Sequence, residues 1–202
     1  AVGDWSLFSN TTGSNNAALG QGSLGNSTAS NNTAVGKSAL AANTTAQGGV
    51  AVGKGSGSGV TTGSYNTLLG YLAAANNVTL TTGQENVLIG ADAGGAVNSA
   101  TDTVAVGHNT LSGLTTGAQN TAIGAGALRT TDDGVANTAI GHASMALGNV
   151  GGSNTAVGGQ TLLYVTGNNN TAVGMQASQF LVGGAYNVSL GIWAARYVNG
   201  SA

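Results

Sequence analysis

Few residues of this chain are of the types that perform acid–base or metal chemistry. The 202 residues include two histidines, no cysteine, six Asp or Glu and four Lys or Arg. His108 and His142 each follow a glycine of a repeated motif, two repeats apart, with Ala125 at the same position of the repeat between them. Around a threefold axis, one histidine from each of three chains would make a reasonable ligand set for a metal ion. Because several other repeats hold polar residues at this position, as at Asp4 and Lys37, we expect exposed histidines and no metal.

The one acidic pair of the chain is Asp132-Asp133, followed by Gly134. Glycoside hydrolysis requires two carboxyl groups held several ångströms apart across the scissile bond. Adjacent residues point in different directions, so the pair is typical of a polar turn. No Ser or Thr nucleophile with a histidine and an acid is evident either. We therefore predict that the chain is not an enzyme and carries no cofactor.

A motif of a small residue, an aliphatic residue and glycine recurs throughout the chain. The spacing of its glycines is 16 or 17 residues except for one interval of 20. Such self-similarity predicts stacked units, none of which buries its apolar face alone. The motif glycines are Gly3, Gly20, Gly36, Gly53, Gly70, Gly90, Gly107, Gly124, Gly141, Gly158, Gly174 and Gly191.

Counting from each motif glycine sorts the residues into columns. Position −1 is always Val, Leu or Ile, as at Ile123, and position −3 is mostly Thr or Val, as at Thr121. Side chains two residues apart on a strand share a face, so we expect both columns to point into the core. Position −2, mostly Ala as at Ala122, then faces outward, and its small size predicts close contact with another chain.

Two further columns complete the repeat. Position −4 is Asn in nine repeats, and stacked Asn side chains are expected to bond along a ladder and close turns. Position +4 is Leu or Met in seven, including Leu24 and Met145, and these side chains are expected to add to the core. The pattern predicts an all-β fold, a β-solenoid (β-roll) of about twelve coils of about 17 residues. Residues 1–202 form a single array.

The thin core of such a coil favours a homotrimer, with the three chains either side by side or interwoven. Because the chain begins inside a motif without Met, we expect a fragment of a longer fibre protein, in contact with neighbouring fibre domains.

Composition restricts the partners. Charged residues make up 5% of the chain and the formal net charge is −2, which argues against nucleic-acid binding and against a polybasic membrane patch. No apolar run approaches the roughly 20 residues that span a bilayer, so we expect no membrane insertion.

Ligand recognition is expected where the repeat is interrupted. Asn76 and Asn77 lie in the longer interval between Gly70 and Gly90, where an insertion either binds a ligand or is merely tolerated. Trp5 and Trp193, in the first and last coils, either stack on a sugar or contact neighbouring domains. The candidate glycan contacts are completed by four tyrosines, Tyr65, Tyr71, Tyr164 and Tyr186.

The repeat resembles two related groups of proteins. Residues 102–107 and 49–53 look like the Ser-Val-Ala-Ile-Gly repeats of trimeric autotransporter adhesin heads, which are trimeric left-handed β-rolls. Residues 115–124 look more like the repeats of phage tail fibres and related adhesins. The present period is longer, and Thr replaces Val at six positions. The resemblance implies a homotrimeric fibre, on a virion tail or a bacterial surface, that attaches to a host glycan or receptor.

Two other functions fit the composition. The low charge, regular coils and Thr-bearing strands are also typical of an ice-binding β-solenoid, although ice binding needs an outward Thr array. The expected inward direction of the Thr column argues against that function. A purely structural filament without a ligand is the third possibility.

Overall fold

The computed structural model describes residues 1–75, 82–131 and 133–199, and these contain strands and turns but no helix. Every strand is three residues long. The strands are β1 Ala17–Leu19, β2 Thr33–Val35, β3 Val50–Val52, β4 Thr67–Leu69, β5 Val87–Ile89, β6 Val104–Val106, β7 Thr121–Ile123, β8 Thr138–Ile140, β9 Thr155–Val157, β10 Thr171–Val173, β11 Phe180–Val182, β12 Val188–Leu190 and β13 Tyr197–Asn199.

Eleven of these strands form one parallel sheet in chain order, from β1 to β10 and then β12. The register aligns the motif with itself, so that Thr121 pairs with Thr138 and Ile123 with Ile140. The predicted β-solenoid with coils of about 17 residues is confirmed. At about 4.8 Å per strand, the sheet extends roughly 48 Å along the rod. A second parallel pair, β11 with β13, lies outside this sheet.

The motif glycine bends the chain at the end of each strand in a conformation that other residues avoid. Gly141 has φ +130°, and a Cβ atom there would lie 2.5 Å from the carbonyl oxygen of Gly158 in the next coil. Side chains are excluded both by the dihedral angle and by the neighbouring backbone. The glycines therefore stack directly on one another along the rod.

The turns use left-handed backbone at three positions of each coil, counted −5, +2 and +4 from the motif glycine. Around Gly107 and Gly124 these positions are Asn109, Leu111 and Gln119, with φ of 53°, 53° and 59°. Left-handed geometry costs a non-glycine residue roughly 1–2 kcal/mol. Each of these residues donates its N–H to a carbonyl of an adjacent coil at 3.0 or 3.1 Å. The strained turns thus supply the hydrogen bonds that join the coils.

The inward and outward faces of the strands are the reverse of those expected. Ala34, Ala51 and Ala122 are fully buried, whereas Ile123 and Ile140 are 39% and 37% exposed. The Ala column is the core, so the expectation that it contacts another chain is wrong, as is the inward direction of the −1 and −3 columns. Opposite a Leu or Met at position +4, the interior of so thin a coil accommodates only a methyl group on the strand side.

The core is completed by the Leu and Met column at position +4, whose burial matches the expectation. Where position −2 is the larger Leu68 or Leu88, the residue at position +4 of the same or an adjacent coil is smaller. A Cβ atom added at Gly57 would lie 2.6 Å from Leu68 Cδ1, and one at Gly94 would lie 2.5 Å from Leu88 Cδ1. The two exceptions in the Ala column are therefore compensated in volume.

The asparagine ladder is confirmed. Asn137 Oδ1 accepts a hydrogen bond from the backbone N–H of Asn154 at 2.9 Å, and its Nδ2 donates to the carbonyl of Gly151 at 2.7 Å. Each side chain therefore joins its own coil to the next at two points. The same two bonds are made by Asn16, Asn32, Asn66, Asn86, Asn120, Asn154 and Asn170.

Replacing one ladder asparagine is expected to open the rod locally. Asn137→Ala leaves the Asn154 N–H and the Gly151 carbonyl unpaired in the interior, which is expected to lower the free energy of unfolding by about 2–4 kcal/mol. Amide hydrogen exchange at Asn154 measures this effect directly. The control is Asn149→Ala, since Asn149 is exposed. Unchanged protection at Asn154 in the Asn137 variant would contradict the role given to the ladder.

Glycine substitution should separate dihedral strain from steric exclusion. Gly141→Ala is expected to destabilise the fold by more than about 3 kcal/mol, because backbone atoms must move as well. Gly183 has φ +74° with nothing within 4 Å of an added Cβ, so Gly183→Ala should cost only about 1–2 kcal/mol. Thermal denaturation of both variants tests the difference, and equal loss of stability would refute the steric argument.

Candidate binding surfaces

The outward columns form an uncharged stripe along the whole main sheet. We call positions −1 and −3 of β1 to β10 and β12 the outer stripe. At position −1 the stripe contains only Val, Leu and Ile, and at position −3 only Ala, Thr and Val. Its members are half-buried or exposed, with Val50 37% and Val188 72% exposed. Contiguous exposed apolar surface of this kind marks a contact surface in soluble proteins.

Two of the predicted ligand residues lie on different sides of the motif glycine Gly70. Tyr65 is 53% exposed at position −5, where its hydroxyl oxygen accepts a hydrogen bond from Gln47 Nε2 at 3.1 Å. Tyr71 is 51% exposed at position +1, and Lys54 Nζ lies 5.7 Å from its ring centroid. The structure does not bring these two rings together into one site.

Tyr164 lies in an aromatic stack that sequence analysis missed. Its ring is stacked on Phe180 with centroids 5.1 Å apart, and Phe180 stacks on Tyr197 at the same distance. Phe180 therefore covers one face of the Tyr164 ring, and the tyrosine is 37% exposed. The spacing of about one coil between these aromatic residues is the signal that would have predicted the stack.

The remaining predicted residues are also separate from one another. Tyr186 is highly exposed at position −5, and Trp193 at position +2 donates from Nε1 to Gln176 Oε1 at 2.8 Å. Trp5, at the other end of the array, packs on Phe8 with ring centroids 4.4 Å apart. Asn76 and Asn77 lie outside the described residues, as does Asp132. The predicted ligand residues that the structure describes therefore do not form a common site.

A groove on the adjoining side of the rod contains both histidines. This histidine groove has a volume of about 370 Å³. Asn109 Nδ2 lies 3.2 Å from His108 Nε2, within hydrogen-bonding distance. The polar and apolar side chains that line the groove include His108, Asn109, Arg129, His142, Gln160 and Leu163.

The groove exists because one coil has only small residues directly after its motif glycine. Ala125 and Gly126 occupy positions +1 and +2, where the preceding coil has His108 and Asn109. A Cβ atom built on Gly126 meets nothing within 4 Å. Sequence analysis placed the histidines in one column and noted Ala125 between them. It did not draw the consequence that a gap flanked by larger side chains is a groove.

The described part of the chain lacks both a metal-ligand cluster and a membrane-spanning helix. It contains no group of three His, Cys, Asp or Glu side chains placed to hold a metal ion. None of its segments is a helix long and apolar enough to cross a bilayer.

The chain was also compared with known proteins. No protein-family model, no curated protein and no solved structure matches it.

Proposed function

We propose that this chain is a structural and attachment segment of a homotrimeric fibre, carried on a virion tail or a bacterial surface. The observation that carries the proposal is the outer stripe. An uncharged, partly apolar band about 48 Å long and repeated in register is unusual on a solvated surface. A second and a third copy of the same chain would cover it.

The two columns of the stripe suit a ring of three chains. The Thr and Val column of one chain can face the aliphatic column of the next, and this heterologous contact closes when the rotation is threefold. Because the stripe repeats in every coil of the main sheet, each coil adds a similar contact to the trimer. A parallel arrangement of the three chains places equivalent coils side by side along the whole rod. The resemblance to the repeats of trimeric adhesin heads supports the same number of chains.

Attachment would use the surfaces that remain outside the bundle. Tyr65, Tyr71, Tyr186 and Trp193 lie at positions other than −1 and −3, and all four are more than half exposed. Exposed aromatic rings of this kind contact sugars. Three copies of each weak contact would act together in one fibre, which raises the overall affinity.

The oligomeric state tests the proposal. The native chain is expected at three times its mass of 19.3 kDa in sedimentation equilibrium. Replacing Ile123 and Ile140 together by Lys should yield a monomer with an unchanged circular dichroism spectrum, because both side chains point outward. Val135→Lys is the matched control, since Val135 is 42% exposed outside the stripe. A native chain at the monomer mass contradicts the trimeric fibre.

Ice binding is a second candidate, and a specific observation favours it. Thr121, Thr138, Thr155 and Thr171 point outward from four consecutive strands in register, β7 to β10. The expected inward direction of these residues was the main argument against this function, and that direction is wrong. A regular Thr array on an uncharged sheet would support ice binding only if the stripe stays exposed.

Thermal hysteresis separates the two functions. If ice binding is correct, the chain is monomeric and depresses the freezing point at micromolar concentration. Thr138→Lys should then reduce the hysteresis several-fold, because a long charged side chain interrupts the array. Thr116→Lys serves as the control, since Thr116 is exposed in a loop. A trimer without thermal hysteresis would refute ice binding.

A further inference from the structure

We propose that the histidine groove binds an acidic saccharide, with Arg129 holding the carboxylate of the sugar. The inference deepens the attachment role proposed above and rests on it. It assigns that role to a place where none of the predicted ligand residues lies. Three features of the groove support it: its shape, its charge and the mixture of groups along its walls.

The shape comes from the small residues of a single coil. Ala125 and Gly126 form the floor of a notch, the preceding coil supplies His108 and Asn109, and a following coil supplies Gln160. The volume of about 370 Å³ lies within the range of about 300–1,000 Å³ seen for small-ligand sites. The groove begins one residue beyond the motif glycine, so it borders the outer stripe and does not coincide with it.

The charge of the groove is one-sided in a chain with few charges. The whole chain has four Lys or Arg residues and two histidines, and Arg129, His108 and His142 all line this groove. No carboxylate is among the lining residues that the structure describes. Arg129 is exposed, and its guanidinium makes no ion pair within the described part of the chain. The next described carboxylate along the chain is that of Asp133. A guanidinium available in this way binds a carboxylate through two parallel hydrogen bonds.

The walls of the groove match the rest of a sugar. Gln160 Oε1 accepts hydrogen bonds from Gln176 at 2.7 Å and from Gln179 at 3.4 Å, which leaves its amide nitrogen to donate to a hydroxyl. Leu147 and Leu163 form an apolar wall on which the C–H face of a sugar ring can pack. A bare inorganic anion would use the arginine but not the amide and the leucines. The combination favours a carboxylated sugar over phosphate or sulfate.

Calorimetric titration of the native protein with defined saccharides tests the proposal. The probes are sialyllactose and trigalacturonate, with lactose and carboxyl-reduced trigalacturonate as their neutral counterparts. At least one acidic probe is expected to bind at least tenfold more tightly than its neutral counterpart. Equal binding of the acidic and neutral members of both pairs, or no binding at all, overturns the proposal. Inorganic phosphate that binds as tightly as the saccharides would overturn the assignment to a sugar.

Substitutions locate the binding in the groove. Arg129→Gln is expected to weaken binding of the acidic probe at least tenfold, with little effect on the neutral one. Gly126→Gln should abolish binding by filling the notch, and Gln is compatible with the backbone there because Gln160 adopts φ 54° at the same position of its coil. Gly183→Gln is the matched control, because Gly183 also has positive φ and open space around it. Unchanged affinity in the first two variants would refute the site.

The oligomeric mass of each sample, measured in parallel, distinguishes a failure of this proposal from a failure of the proposed trimeric fibre. A trimer that does not bind the acidic probes contradicts the groove alone. A monomer that binds them contradicts the fibre alone, because every lining residue belongs to one chain.

Discussion

The stacking of motif glycines is the constraint on which the rest of the rod depends. At each coil the backbone of one glycine occupies the space where a side chain of its neighbour would be, as between Gly141 and Gly158. This contact fixes how closely coils approach at the bend. It also fixes which way the preceding strand faces, because the chain turns there with the alanine on the concave side. The alanine core and the outer stripe are both consequences of that turn.

Hydrogen bonding then compensates for the strain of the turns. Three left-handed positions per coil would destabilise an isolated coil by several kcal/mol, since each costs roughly 1–2 kcal/mol. The residues at those positions donate to adjacent coils, and the asparagine ladder adds two buried bonds from most coils. Stability therefore resides between the coils more than within them, which is the behaviour of a quasi-one-dimensional repeat protein.

The features that depend on residue spacing were predicted correctly from the sequence. The face of each strand that points into the core was not. The period, the coil length, the asparagine ladder and the buried +4 column follow from counting residues. Period two shows that Thr121 and Ile123 share a face but not which face is inside. The usual preference for large aliphatic residues in the core gave the wrong answer, because a coil filled from the opposite side by Leu128 or Met145 has room only for alanine. The histidine groove was not predicted because it is created by missing side chains, at Ala125 and Gly126, between larger side chains of the adjacent coils.

The orientation of the hydrogen bonds has a mechanical consequence. They lie along the axis of the rod, whereas the covalent chain winds around it, so a pull on the two ends of the chain loads the end coils first. Each coil can then peel away from its neighbour without disturbing the remainder. At about 3.4 Å per extended residue, a released coil of about 17 residues adds nearly 60 Å of slack. Such a rod yields to tension in equal steps, absorbing a sudden load by lengthening while the coils still stacked keep their shape.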